Sequence, residues 1–307
     1  MTKKRIWIYI VSSFLPIYVG TLINGLCGNT YESDMTQVLL SFFMLCPAVA
    51  AFLTIKLTKE DVRLLGENSL ALGFSLKGKK KWWFLLAIFV PVLYVELGCL
   101  FYYLLFPRAY DLSALDEVVE VFGIKQELLW VVTIYFVINS IWYSIGGLGE
   151  EIGWRAYLYP KLEEVMGEGK ALVVGGIIWA VWHFPMLYIG HNFGKDYWGE
   201  PWTGFLAFTI YCVAIGSIFY FFTKKTKSVW TAAFMHAIHN TIASASLLRI
   251  IMTEEGVPAW AKESTVEMLL VSVPLIILGG VLIGLSFWKN KRQVKKSKTY
   301  LDFAPAK

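Results

Sequence analysis

Leu148-Gly149-Glu150-Glu151-Ile152-Gly153-Trp154-Arg155 puts two adjacent carboxylates and an arginine at the end of a long apolar segment. A charge at membrane depth costs roughly 2.5 kcal/mol or more, so such residues normally face a protein interior or a water-filled cavity and mark a functional site. Outward from this stretch, apolar runs near the length that crosses a bilayer recur along the whole chain. They lie near residues 6–26, 37–57, 82–106, 128–147, 171–190, 203–222, 228–248 and 267–288. The 307 residues are 57% hydrophobic and 16% aromatic, with only 17% charged, a composition that excludes a soluble globule. The expected fold class is all-α, a polytopic membrane helical bundle with about eight transmembrane helices. No internal repeat or soluble second unit is visible, so residues 1–307 read as one integral membrane domain.

The net charge of +5 does not point to nucleic acid, because the basic residues fall in short clusters between apolar runs. Their placement reads as topology. With the N-terminus cytoplasmic, all but five of the 28 Lys and Arg fall in inner segments; the five are Arg108, Lys125, Lys195, Arg249 and Lys262. The expectation is a multi-pass protein of the cell membrane with both termini cytoplasmic and the lipid bilayer as its surroundings. Lys3-Lys4-Arg5 followed by an apolar run to about Leu26 resembles a signal peptide, but the run is too long and no cleavage site follows, so it reads as a retained first span. Cys27, Cys46, Cys99 and Cys212 show no C-x-x-C spacing and read as packing residues. Residues 56–81 mix Leu64, Leu65, Leu70, Leu72 and Phe74 with charges and end in Lys77-Gly78-Lys79-Lys80-Lys81. This segment reads as a basic inner flank rather than an amphipathic stretch in the interface. Glu96, in a span with Pro91 and no answering charge, reads as a neutral acid hydrogen-bonded to a neighbouring helix rather than a proton relay.

Three polar sets fall on separate helices. Glu151 and Arg155 are at i and i+4, on one face where they can pair. Glu150 is rotated about 100° away and is left free to act. Trp179 and His183 share a face of the fifth helix, with Pro185 just beyond; His236 and Asn240 form one stripe of the seventh. A glutamate, two imidazoles and a carboxamide in a low-dielectric bundle are the components of a hydrolytic site. Glu150, with His183, can polarise a water and take its proton, while His236 and Asn240 donate to the developing oxyanion. The same set can instead hold a divalent ion such as zinc, with Glu150, His183 and His236 as ligands. These alternatives stay open, although the H-E-x-x-H helix of common zinc proteases is absent. His239 and His191 read as a structural and an interfacial residue, respectively.

The three sets together resemble a known family. Glu150-Glu151-Ile152-Gly153-Trp154-Arg155 fits E-E-x-x-x-R in full, Trp179 to His183 resembles F-x-x-x-H with tryptophan for phenylalanine, and His236 to Asn240 resembles H-x-x-x-N. The tryptophan keeps a large aromatic ring. These are motifs of the intramembrane proteases that group type II CAAX prenyl endopeptidases with bacteriocin-processing and immunity proteins. The resemblance covers roughly residues 128–250, the expected catalytic core. It implies that Glu150 activates water with His183, that His236 and Asn240 stabilise the oxyanion, and that Glu151 and Arg155 support them. It also implies a helical bundle whose cavity opens to the cytoplasmic side, and a peptide or protein substrate, with prenylated or membrane-anchored C-terminal peptides, bacteriocin or pheromone precursors and membrane-protein segments all open. Two rivals remain: a binding-only immunity or scaffold protein of the same fold, and a proton-coupled transporter using Glu96 and Glu150. One tension is internal: His183, His236 and Asn240 lie roughly 12 to 18 Å deep at 1.5 Å per residue, whereas a fourth span ending at residue 147 leaves Glu150 shallow.

Overall fold

Apolar runs of this length must satisfy their own backbone groups in a bilayer, and each does so as a helix. In a computed structural model, residues 1–64 and 69–302 are described, residues 291–302 by their backbone only. Leu65 and the last five residues of the basic tail lie outside the described residues. The elements are α1 (Thr2–Leu26), α2 (Asp34–Phe43), α3 (Cys46–Leu57), α4 (Lys80–Leu105), α5 (Ala114–Phe122) and α6 (Trp130–Glu151), which runs through a π-helical segment, Ile152–Leu158, into α7 (Tyr159–Met166). They continue with α8 (Glu168–Tyr188), α9 (Trp202–Thr226), α10 (Val229–Ala245), α11 (Leu247–Ile250), α12 (Ala259–Lys262), α13 (Ser264–Val271) and α14 (Val273–Asp302). Among the described residues, seven helical stretches are long and apolar enough to cross a membrane. The seventh expected span, 228–248, is the 17-residue α10, buried along most of its length in the middle of the bundle. The polytopic helical class read from the sequence is therefore the observed one.

The connections segregate to two faces, each tied by its own polar contacts. On the face of the N-terminus, Glu60 takes Arg5 at 3.4 Å, the Tyr157 hydroxyl at 3.0 Å and Lys161. Lys224 bridges Glu163 and Glu168 at 2.8 and 3.3 Å on the same face. On the far face, the Asp111 and Thr253 amides donate to the Ile251 and Ala109 carbonyls at 2.8 and 2.9 Å. There the Ser264 hydroxyl donates to the Phe193 carbonyl at 3.0 Å. Glu96 is partly buried in α4, and its Oε2 has no hydrogen-bond partner among the described residues. The four cysteines are free.

Three expected boundaries move. The second span bends between Phe43 and Cys46, where Pro47 has no N–H to continue the helical ladder. The bend rests on α6 because Gly149 has no side chain: a Cβ there would stand 2.6 Å from the Met44 carbonyl oxygen. The last span breaks at Ser272. The fourth does not stop near residue 147 but continues to Met166 as one 41-residue helical run that includes the π segment. That extension carries Glu150 inside the bundle, which removes the depth conflict.

Close approach is most severe at Gly98 of α4, where a Cβ would lie 1.8 Å from the Val271 carbonyl oxygen. Backbone cannot yield as a flexible side chain does. Gly98→Ala is expected to cost at least the roughly 1–3 kcal/mol of ordinary overpacking, visible as a lower melting temperature of the detergent-purified protein.

Candidate active site

The π segment follows directly on the two glutamates, and such wide turns occur often at functional sites. All seven of its residues are buried, and Gly153 lets it press against α1 and α3: a Cβ there would meet the Tyr9 hydroxyl at 2.5 Å and Pro47 Cβ at 2.4 Å. Both carboxylates are thereby held in the interior, Glu150 at 3% and Glu151 at 0% exposure.

They do different things, as their rotation about the helix predicts. Glu151 Oε1 receives Arg155 Nη1 at 3.0 Å and His236 Nδ1 at 2.8 Å. The Arg155 guanidinium lies 4.0 Å from the Trp179 ring centroid, with the Phe219 and Tyr159 rings at 5.2 and 5.4 Å. Aromatic faces take up cationic charge, so Arg155 is held between the Glu151 carboxylate and this cage of rings. Glu150 instead accepts hydrogen bonds from Trp179 Nε1 at 2.9 Å and Trp154 Nε1 at 3.4 Å, both on Oε2. Its other oxygen is left for the cavity that Glu150 lines.

The histidines are oriented by what their Nδ1 atoms meet. His183 Nδ1 lies 2.9 Å from the Trp179 carbonyl oxygen. A carbonyl only accepts, so Nδ1 carries the proton and Nε2 presents a lone pair. Pro185 does not end α8, which runs on to Tyr188. The carbonyl that Pro185 leaves without an amide, that of Val181, receives the Tyr18 hydroxyl of α1 at 2.7 Å. His236 Nδ1 likewise donates to Glu151, which turns its Nε2 away from the strut. One turn further along α10, Asn240 is exposed to the cavity.

Glu150, His183, His236 and Asn240 all line one cavity of about 880 Å³, within the range of ligand sites. The three motif sets thus converge. Among the described residues, however, no three His, Cys, Asp or Glu side chains are grouped to hold a metal ion. His239 lines the same cavity, and both of its ring nitrogens are engaged, Nδ1 by the Tyr94 hydroxyl at 3.0 Å and Nε2 by that of Tyr211. His191 pairs with the Tyr31 hydroxyl at 2.9 Å in the loop after α8, and burial holds its imidazole down to about 4, uncharged at neutral pH.

Two features escaped sequence reasoning. The tryptophan at 179 does more than keep a ring, because its indole N–H is a donor to Glu150 that phenylalanine lacks. Tyr94 and Tyr211 carry no spacing signal linking them to His239. One expectation conflicts with another. The far end of the cavity is lined by Tyr31, His191, Arg249, Glu254 and Lys262, from connections on the face opposite the termini. Cytoplasmic termini and a cavity opening to the cytoplasm cannot both hold for this arrangement.

Fold and site define a class: a polytopic helical membrane protein with a carboxylate, two imidazoles and a carboxamide around an internal cavity. Residues 125–242 match the family described as type II CAAX prenyl endopeptidase Rce1-like, and that segment contains all three motifs. A CAAX prenyl protease 2 from Methanococcus maripaludis is 30% identical over 93 residues, which are 30% of this chain and 34% of that protein. The chain therefore spans about a third of the length of the curated relative it matches. The resemblance read from the motifs is the one these comparisons find.

Proposed function

We propose that this protein is a membrane endopeptidase that hydrolyses a peptide bond with a water activated by Glu150 and His183. The convergence of three separate motifs on one cavity is the observation that carries this reading. Glu150, its Oε2 fixed by two indoles, takes the proton from water through Oε1. His183 Nε2 accepts a second hydrogen bond from the same water and fixes its direction of attack. His236 Nε2, in the doubly protonated ring, and the Asn240 amide donate to the carbonyl oxygen as it becomes tetrahedral. Glu151 and Arg155 act through His236, whose ring plane they set.

The acting residues all lie within 128–250, the proposed catalytic core, but its cavity borrows walls from α2, α4 and α13. A divalent ion would need Glu150, His183 and His236 grouped as ligands, which the described residues do not show, and chelation tests that expectation. The substrate is a peptide or protein segment, with prenylated C-terminal peptides and peptide precursors as the classes to compare. The test is cleavage by purified protein in liposomes against prenylated and unprenylated peptides, with and without chelator. Cleavage is expected to survive the chelator; no cleavage of any peptide by the wild type would remove the reading.

In the same assay Trp179→Phe keeps a ring over Arg155 but removes the donor to Glu150. A hydrogen bond to a charged group is worth about 1.5–3 kcal/mol. We expect turnover to fall by about 10-fold or more with the melting temperature nearly unchanged; wild-type turnover would mean the indole does not position the carboxylate.

A further inference from the structure

The cavity has a closed end and an open end, and the two lie toward opposite faces of the bundle. Toward the face that holds the termini, the site rests on a packed floor. Arg155 fills the space beneath Trp179, and Tyr157, Leu158, Tyr159 and Phe219 are all buried below it. Among the described residues, none of 56–81, 157–170 or 223–230, the connections of that face, lines the cavity. Toward the other face the walls continue past Asn240 to Ser244 and reach the rim residues Glu254 and Lys262. His183 is only five residues from the far end of α8 at Tyr188, about 7–8 Å along the axis.

The charge pattern orients these faces. The floor face carries Lys3, Lys4, Arg5, the Lys77 to Lys81 cluster, Lys224, Lys225 and Lys227, while the rim face carries the five residues Arg108, Lys125, Lys195, Arg249 and Lys262. Two of the five at the cavity are neutralised by partners, Arg249 by Glu267 at 2.6 Å and Lys262 by Glu254 at 3.3 Å. Short loops rich in Lys and Arg stay in the cytoplasm.

We propose that the cavity opens to the extracytoplasmic side, so that the site admits polypeptide presented at the outer surface or emerging from the outer leaflet. A protein confined to the cytoplasm, including one anchored to the inner leaflet by a lipid, meets the closed floor instead. The substrate class is then a secreted peptide precursor, or a membrane protein segment exposed outside. This rests on the proteolytic reading for its substrate, but the direction of opening stands or falls by itself.

The test reads accessibility, not cleavage. Cys27 and Cys46 are replaced, the buried Cys99 and Cys212 are kept, and single cysteines are placed by Ser244→Cys on the cavity wall, Glu254→Cys on its rim and Lys79→Cys on the floor face. A membrane-impermeant maleimide is applied to intact cells and to permeabilised ones. Ser244→Cys and Glu254→Cys are expected to label in intact cells, and Lys79→Cys only after permeabilisation. Labelling of Ser244→Cys only after permeabilisation overturns the proposal. So does Ser244→Cys silent in both conditions while Glu254→Cys reacts, since the cavity would then not be open to water. Glu150→Gln leaves this pattern unchanged, so loss of the proteolytic reading and loss of the outward opening are separate results.

Discussion

Glu150→Gln is expected to lower peptide cleavage by about 10²–10⁴-fold, the contribution of a positioned general base, while the protein remains folded. Glutamine is isosteric and keeps an oxygen for the Trp179 and Trp154 indoles, which donate at 2.9 and 3.4 Å. What it loses is the ability to take a proton from water. Because Glu150 carries no ion pair of its own, the strut of Glu151 and Arg155 is untouched and the melting temperature should hardly move. The change should fall on kcat rather than KM, since the carboxylate acts on the water and not on peptide binding. His183→Ala should produce a comparable loss through the same water. If both variants cleave at the wild-type rate, the residues do not act as proposed. A biological phenotype that persists in Glu150→Gln, with no cleavage by wild type, would favour the binding-only immunity or scaffold reading.

The helical class and the three motif sets were legible because both are local signals. A run of apolar residues specifies a span by itself, and i, i+4 spacing places Glu151 with Arg155 and His236 with Asn240 before any packing is known. What was not legible depends on partners distant in sequence. The bend at Met44 and Leu45 is made possible by Gly149, about a hundred residues away, and the extent of α6 by the fit of Gly153 against Tyr9 and Pro47. Trp179 matched its motif as an aromatic ring, yet its hydrogen bond to Glu150 follows only from how α6 and α8 pack. The direction of the cavity required both levels. Lys and Arg give only an expected orientation to the loops, and the proposed opening adds to it the packed floor of Arg155, Tyr157 and Tyr159.

The second large effect is on stability. Glu151→Ala removes the acceptor shared by Arg155 at 3.0 Å and His236 at 2.8 Å, in a place where Glu151 and Arg155 are 0% and 1% exposed. Breaking a buried pair from one side costs about 3–5 kcal/mol, because the remaining charge is uncompensated. Against a total stability typically of about 5–15 kcal/mol, this should appear as a large fall in folded yield and melting temperature. The aromatic cage of Trp179, Phe219 and Tyr159 surrounds Arg155 with or without Glu151, so it does not replace the lost carboxylate. Replacing both members, as Glu151→Leu with Arg155→Met, removes the orphaned charge along with its partner and should recover much of the folded yield. Activity should not return with it. His236 Nδ1 then has no carboxylate to set its ring, and Nε2 no longer points reliably at the oxyanion. Recovery of stability without recovery of kcat is the signature of a strut that also positions a catalytic group. A Glu151→Ala protein that melts at the wild-type temperature would show that the buried pair holds neither.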